Sequence, residues 1–147
     1  MNPREYPTQP VCGVGVVCLR DDKVLLVKRA KAPITWQWSI PGGGQELGET
    51  TRTAALRELQ EETGVDAELI GLIDVIDTIR EDDSGRIQYH YTLVDFVAVW
   101  TSGEPVADDD VSDARWVPLS EIEKYDLWFE TIRVIRKAVK IRGEIDS

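Results

Sequence analysis

The sequence is poor in sulfur-containing residues, in histidine and in positive charge. Its 147 residues include two cysteines, one methionine and one histidine, and 17 lysines and arginines face 27 aspartates and glutamates. The formal net charge of −10 argues against a nucleic-acid backbone as the main partner, because affinity for that backbone comes largely from basic side chains that neutralise phosphates. An anionic small molecule is compatible with this charge if a divalent cation mediates the contact.

The two cysteines are poorly spaced for a disulfide bond. Cys12 and Cys18 lie in one apolar run, and on a strand they would be about 20 Å apart, which is much too far for a bridge. We therefore expect reduced thiols, as in a cytoplasmic protein.

Long apolar runs are missing as well. No segment approaches the roughly 18 consecutive apolar residues of a membrane helix, and the first ten residues, MNPREYPTQP, contain no apolar signal core. We therefore expect no membrane association. The chain also lacks the GK[ST] motif of a P-loop, and GVGVVC lacks the third glycine of a dinucleotide fingerprint.

What is present is ordinary for a globular domain, with 42% hydrophobic and 30% charged residues. We predict a tail at residues 1–10 that is loose or lies along a sheet edge, one domain at 11–142 and a C-terminal tail at 143–147. Periodicity predicts the order β-β-α-β-β-β-α, an α/β domain whose mixed sheet is covered by helices. The predicted strands are 11–20, 23–30, 66–79, 86–100 and 114–119, and the predicted helices are 50–62 and 128–141.

The two predicted helices carry recognisable apolar faces. The first has Thr50 or Thr51 as its N-cap and Gly64 just past its end, and Leu56 and Leu59 are expected to anchor one flank in a core. In the last helix, apolar side chains at helical spacing predict the buried face. These are Phe129, Ile132, Ile135 and Val139.

Three glutamates on the first predicted helix suggest a metal-binding site. Glu58, Glu61 and Glu62 share one helix face, where like charges repel by roughly 0.2–0.5 kcal/mol per pair. Such oxygen ligands suit Mg²⁺ or Mn²⁺, and a bound cation would replace the repulsion with a shared attraction. A solvated acidic face is the alternative. The loop Pro41–Gly44 favours the metal site, because its glycines let a ligand approach the backbone closely.

These residues fit one sequence pattern, the Nudix box: a glycine, five residues, a glutamate, seven residues, then Arg-Glu-hydrophobic-x-Glu-Glu-x-Gly-hydrophobic. The matching positions are Gly43, Glu49, Arg57, Glu58, Leu59, Glu61, Glu62, Gly64 and Val65. The chain therefore resembles the MutT-like Nudix hydrolases, and flanking similarity extends over most of residues 11–140. The resemblance implies an α/β/α sandwich and hydrolysis of a nucleotide pyrophosphate bond by water attack on phosphorus.

The resemblance also implies roles for individual residues. The expected metal ligands are Glu58, Glu61 and Glu62, with the Gly42 carbonyl as a further one. The expected cofactor is Mg²⁺, with Mn²⁺ as a substitute. Arg57 is expected to orient a box carboxylate, and Glu49 to tie the box loop to its helix. Arg57, Glu58 and Glu61 are thus candidate catalytic residues, and the resemblance makes Glu58 also a candidate base.

Many members take the general base from a loop between late strands. Here that loop is ADDDVSD, and we predict Asp110, six residues before Trp116. The neighbouring loop carboxylates and an ordinary acidic loop are the alternatives. Those carboxylates are Asp108, Asp109 and Asp113.

Substrate contacts are predicted at the strand ends and in the glycine loop. We expect Arg29 to meet a phosphate, Trp36 to stack on a base or sugar, and Gly43 to let the substrate approach. Trp38 is expected in the core. Gly13 and Gly15 share one strand face, where they either admit a ligand or mark a bulge.

The partner implied is a small-molecule nucleotide, with ADP-ribose-type and (oxidised) nucleoside triphosphate substrates as rivals. No proline occurs at residues 78–82, where ADP-ribose pyrophosphatases usually carry one. This absence weakens the case for an ADP-ribose-type substrate. A non-catalytic nucleotide-binding regulator predicts degraded box carboxylates, whereas all are present. Hydrolysis of an RNA 5′-pyrophosphate requires a basic surface along which the RNA binds, and the acidic composition of the chain disfavours such a surface. The sequence allows a monomer or a homodimer.

Overall fold

The computed structural model describes residues 4–29 and 36–147. The order of elements is β-β-β-β-α-β-β-β-α, with a short 3₁₀ helix before the last helix. The strands are β1 (Val11–Arg20), β2 (Lys23–Arg29), β3 (Trp38–Ser39), β4 (Gly42–Gly44), β5 (Asp66–Glu81), β6 (Ile87–Ser102) and β7 (Val111–Pro118). The helices are α1 (Thr51–Thr63), the 3₁₀ helix (Leu119–Lys124) and α2 (Phe129–Asp146).

Within the described residues the strands form one mixed sheet. Its order is β3-β2-β1-β6-β5, with β4 added to β1 and β7 added to β2. β1 and β6 are parallel, whereas the other pairs are antiparallel. The predicted hairpin of β1 and β2 has only two registered pairs at its turn, Leu19–Val24 and Arg20–Lys23. Because the two strands then separate, β1 has a free edge for β4.

The two long helices cover opposite faces of this sheet. Alternate residues of a strand point to opposite faces, and Val16 and Cys18 pack with Ala54, Ala55 and Leu59 of α1. Val17 and Leu19 instead join the cluster that contains Val134, Ile135 and Ala138 of α2. The expected α/β architecture with a mixed central sheet is therefore confirmed.

Four local expectations differ from the structure. The glycine loop is strand β4 at Gly42–Gly44, since three glycines can approach β1 closely enough to pair. Leu56 is 38% exposed, whereas Leu59 is fully buried. Phe129, the first residue of α2, is 71% exposed. That helix continues to Asp146, so the segment 143–146 is helical where we predicted a tail, and no proline interrupts it.

The described part of the N-terminal segment lies along the β5–β6 hairpin. The Tyr6 amide donates to the Gln88 carbonyl at 2.8 Å, and the Tyr6 hydroxyl donates to Asp82 at 2.9 Å. Among the described residues, no helix is both long enough and apolar enough to cross a membrane.

Candidate metal and active site

Helix α1 is held so that its carboxylates face β4. The Thr50 side chain accepts a hydrogen bond from the Thr53 amide at 3.1 Å, and Gly64 ends the helix with a φ of 73°. Ala54, Ala55 and Leu59 anchor the helix on β1 with no exposed surface. Both predicted helix ends are confirmed.

Strand β4 lies directly against the helix carboxylates. The Gly42 amide donates to Glu62 Oε1 at 3.0 Å. A Cβ at Gly43 would lie 2.5 Å from the carboxyl carbon of Glu58, so the missing side chain is needed for Glu58 to reach its position. The glycine run thus makes room for the acidic groups of the protein itself.

Glu62 is the most deeply buried of these carboxylates, at 1% exposure. It forms an ion pair with Arg29, which also donates to Ser39 Oγ and to the Ile40 carbonyl, each at 3.1 Å. Burial raises the pKa of Glu62 to about 7, against the lowering effects of Arg29 and of the Gly42 amide. We expected Arg29 to contact a phosphate. In the structure its guanidinium instead forms an ion pair and hydrogen bonds within the protein.

Arg57 connects the box loop with the helix, as the resemblance implied. Its Nε and Nη2 donate to the two oxygens of Glu49 at 3.0 and 2.7 Å, and Nη2 also donates to the Gly44 carbonyl at 3.0 Å. Its Nη1 donates to Glu58 at 2.9 Å and to Glu61 at 3.1 Å. The hydrogen bonds from Arg57 lower the pKa of Glu49, and the bond to Glu58 fixes the orientation of that carboxylate.

Glu58 and Glu61 meet a third carboxylate, that of Asp109. One oxygen from each of these residues lies within 4.8 Å of the others. Burial raises the pKa of Glu58, and Arg57 opposes this effect. Three carboxylate oxygens at this spacing suit a hard divalent cation, whose remaining positions water and phosphate can fill. The residues present therefore fit the metal that the resemblance implies.

The acidic loop is bonded to the end of α1. The Val106 amide donates to the Thr63 carbonyl at 2.9 Å, and the Asp108 amide donates to the Glu62 carbonyl at 3.0 Å. Asp109 then turns with a φ of 59°, which directs its side chain to the cluster. Asp110, our predicted base, lies outside the cluster, and its carboxylate is 3.9 Å from Arg29 Nη1.

The remaining predicted residues lie around this centre. The Gly42 carbonyl is 3.5 Å from Arg29 Nη2, and Trp36 is 40% exposed. Trp38 packs edge-on against Tyr125, with ring centroids 5.0 Å apart, and contacts the α2-side core as expected. The space above Gly15 is filled by the Asp95 side chain, which sequence patterning did not single out.

Comparison with known proteins agrees with this geometry. The model of the NUDIX domain family matches residues 10–138. An ADP-ribose pyrophosphatase of Methanocaldococcus jannaschii is 32% identical over 127 residues, which cover 86% of this chain and 72% of the relative. An RNA pyrophosphohydrolase of Sphingopyxis alaskensis is 32% identical over 144 residues, covering 82% of this chain and 84% of that protein.

Solved structures show the same fold. The NUDIX domain of Shewanella oneidensis NrtR, complexed with ADP ribose, superposes with a TM-score of 0.73 and 25% identity over 91% of this chain and 89% of that one. The chain therefore belongs to the Nudix family of pyrophosphohydrolases, and the resemblance seen in its sequence is confirmed.

Proposed function

We propose that this protein is a Mg²⁺-dependent hydrolase that cleaves the pyrophosphate bond of a nucleotide, with an ADP-ribose-type compound as its first candidate substrate. Mn²⁺ is expected to substitute for Mg²⁺. The observation that supports the proposal most is the convergence of Glu58, Glu61 and Asp109 beside β4. The relative named ADP-ribose pyrophosphatase and the NrtR domain bound to ADP ribose support the choice of substrate.

In this proposal, Glu58, Glu61 and Asp109 would hold the cation. When bound, a divalent cation neutralises phosphate charge and makes a water molecule more acidic. Arg57 keeps Glu58 in position through its 2.9 Å hydrogen bond. The Arg29–Glu62 pair supports β4, since Glu62 also accepts from the Gly42 amide. We retain the Gly42 carbonyl and Glu62 as proposed further ligands.

Asp110 remains our proposed general base. A carboxylate that binds a cation is a weak proton acceptor, and Asp110 is not one of the three clustered carboxylates. Its side chain is 47% exposed, so a water molecule can reach it. Proton transfer to Asp110 from the attacking water, which bonds to phosphorus, would be general base catalysis, typically worth 10²–10⁴ in rate.

A substrate panel tests the function. Purified protein with Mg²⁺ is offered ADP-ribose, 8-oxo-dGTP, dGTP and 5′-triphosphorylated RNA, and the products are identified. We expect AMP and ribose 5-phosphate from ADP-ribose. Release of nucleoside monophosphate and pyrophosphate from a triphosphate would instead identify the rival substrate class. Binding of ADP-ribose without turnover would identify a regulator, and hydrolysis of RNA alone would identify the third alternative.

The matched variants are Glu61→Gln and Glu123→Gln. Glu61 belongs to the cluster, whereas Glu123 is an exposed residue of the 3₁₀ helix. We expect Glu61→Gln to lose most of its turnover and Glu123→Gln to keep it. Equal turnover by the wild-type protein and both variants would contradict the role of Glu61 as a metal ligand. The free thiols of Cys12 and Cys18 support a reducing compartment such as the cytoplasm as the site of action.

A further inference from the structure

A cavity lies where β1 turns into β2, on the face of the sheet that α1 covers. Its volume of about 440 Å³ is within the range of small-molecule sites. It is lined by Arg20, Asp21, Lys23, Glu104 and Trp116. Arg20 lies five residues along β1 from Gly15, the partner of Gly42 in the box, and this spacing amounts to about 17 Å. The cavity is therefore separate from the acidic cluster.

The indole N–H of Trp116 has no hydrogen-bond acceptor. Within the described part of the chain, its nitrogen is the one buried side-chain nitrogen or oxygen that lacks a partner. Trp100, which packs against the same apolar cluster, instead donates from its indole nitrogen to the Gly103 carbonyl at 2.7 Å. A buried donor without an acceptor costs free energy. An acceptor that a ligand brings to Trp116 would remove this cost.

Two cations accompany this indole at the end of the sheet. Arg20 and Lys23 are directly opposite each other on β1 and β2, where like charges destabilise a sheet. Trp116 is paired with Leu25, two residues beyond Lys23, so Lys23 and Trp116 project from the same face. Arg20 Cζ lies 3.7 Å from the ring centroid of Trp100 and 5.6 Å from that of Trp116. Two positive charges and an unpaired N–H donor thus share one cavity.

The acidic residues of the cavity neutralise only one of these cations. Arg20 forms an ion pair with Glu104 at 2.8 Å, and the Glu104 side chain is 68% exposed. Lys23 forms no ion pair with any carboxylate of residues 4–29 and 36–147, and Asp21 is exposed in the turn.

The Trp116 nitrogen is closed to solvent, so an acceptor reaches it only after side chains of the cavity wall move. Lys23 is exposed, and an exposed pair such as Arg20–Glu104 is weak. Such a movement therefore costs little.

We propose that this cavity binds a small organic anion, whose carboxylate or phosphate group accepts hydrogen bonds from the Trp116 indole and the Lys23 ammonium. The volume of about 440 Å³ leaves room for an organic group beside the anionic one, and the ring of Trp116 offers it an apolar surface. The site requires neither the metal nor the box. The inference therefore goes beyond the proposed function and does not depend on it.

Nuclear magnetic resonance of the ¹⁵N-labelled protein tests this inference, because each of the five tryptophans contributes one indole N–H signal. The probes are phenyl phosphate, benzoate and the uncharged benzyl alcohol, with EDTA present to exclude contacts through a metal. The signal of Trp116 is the one that is missing in Trp116→Phe. At least one of the two anions should shift this signal downfield with a Kd of about 1 mM or below, and benzyl alcohol should leave it in place. The anion with the lower Kd identifies the preferred group.

Charge variants of the cavity should change the affinity for this anion in opposite directions. Lys23→Met should weaken binding about tenfold, because it removes a charged donor. Glu104→Gln should strengthen binding, since it removes a competing carboxylate and releases Arg20. Lys124→Met is the matched control. The Lys124 side chain is 72% exposed and pairs with Glu121 in the 3₁₀ helix, so this variant should bind the anion as the wild-type protein does.

The inference would be overturned if neither anion moved the Trp116 signal of the wild-type protein, or if benzyl alcohol moved it equally. Equal affinity of the wild-type protein and Lys23→Met for the anion would also contradict it. Triple-resonance spectra of the wild-type protein assign the indole signals independently. Poor folding of Trp116→Phe would therefore not block the test.

Discussion

Arg29 forms an ion pair with Glu62, and this pair bonds the end of β2 to the last turn of α1. The same carboxylate accepts from the Gly42 amide of β4. One buried glutamate thus joins three elements around the acidic cluster. Arg29 is better described as the counter-charge of Glu62 than as a cation directed to solvent, since its side chain is only 20% exposed.

Removal of Arg29 should therefore destabilise the fold. In Arg29→Ala, Glu62 would be a buried charge without a cationic partner, and breaking such a pair typically costs about 3–5 kcal/mol of unfolding free energy. Urea denaturation at constant pH measures the loss. The control is Arg136→Ala, which breaks an exposed pair with Glu123 whose side chains are 62% and 67% exposed. Its cost should stay below about 1 kcal/mol, and equal losses in both variants would contradict the role of Arg29.

A methyl group at Gly43 should displace Glu58. In Gly43→Ala the Cβ would lie 2.5 Å from the Glu58 carboxyl carbon, so the carboxylate must leave its present position in the cluster. Displacement of a catalytic group by about 1 Å can lower kcat/KM about a hundred-fold. Steady-state kinetics with the best substrate of the panel measure this change.

The control for that substitution is Gly143→Ala. Gly143 lies in α2, and no atom outside its own helix lies within 4 Å of the position of an added Cβ. Alanine there should raise stability by roughly 0.5–1 kcal/mol and leave kcat/KM unchanged. If Gly43→Ala were as active as Gly143→Ala, the close contact between Gly43 and Glu58 would have no functional importance.

Substitutions at Asp109 and Asp110 should have different effects, the first on metal affinity and the second on the rate of proton transfer. Asp109→Asn removes one oxygen of the cluster, so Mn²⁺ affinity measured by calorimetry should fall at least about tenfold, since even outer partners of metal ligands are worth that much. Asp110→Asn should keep that affinity and lower kcat about a hundred-fold or more. The reverse pattern would show that the two roles are assigned to the wrong residues.

The burial of Asp95 should make stability depend on pH. Its pKa is about 6 in the folded protein against 3.8 as the ordinary value, so folding favours the protonated form, and stability is lost as pH rises from about 4 through about 6. Asp95→Asn removes this loss, and its stability relative to wild type should increase by up to about 3 kcal/mol between pH 4 and pH 8. The charged neighbours Asp74, Arg133 and Lys137 stay in both proteins. Urea denaturation across this range measures the difference, and a constant difference would contradict it.

Local patterns predicted much of the box correctly. The N-cap at Thr50 and the glycine at position 64 depend on the backbone of neighbouring residues alone, and both are where the sequence indicated. Arg57 and Glu49 are also bonded as the resemblance implied. The alternation of β1 predicted a strand, although the pattern could not tell which of its edges would receive β4.

Long-range contacts account for what sequence patterning missed. Asp109 enters the cluster because the loop is bonded to the carbonyls of Glu62 and Thr63, and because its own backbone turns with positive φ. Spacing along the chain indicated Asp110 of the same loop as the general base and assigned Asp109 no role as a metal ligand. The partners of Arg29 and the burial of Asp95 likewise come from neighbours distant in sequence, so no periodicity could reveal them.

The central claim is that the carboxylates of Glu58, Glu61 and Asp109 bind a divalent cation required for pyrophosphate hydrolysis. The most direct test is a Mn²⁺ titration followed by electron paramagnetic resonance, with the wild-type protein and with Glu58→Gln/Glu61→Gln, each alone and with a nucleotide. We predict at least one Mn²⁺ bound per wild-type chain and a large loss of binding in the double variant. Equal Mn²⁺ binding by a correctly folded double variant, or no binding by the wild-type protein, would contradict the claim.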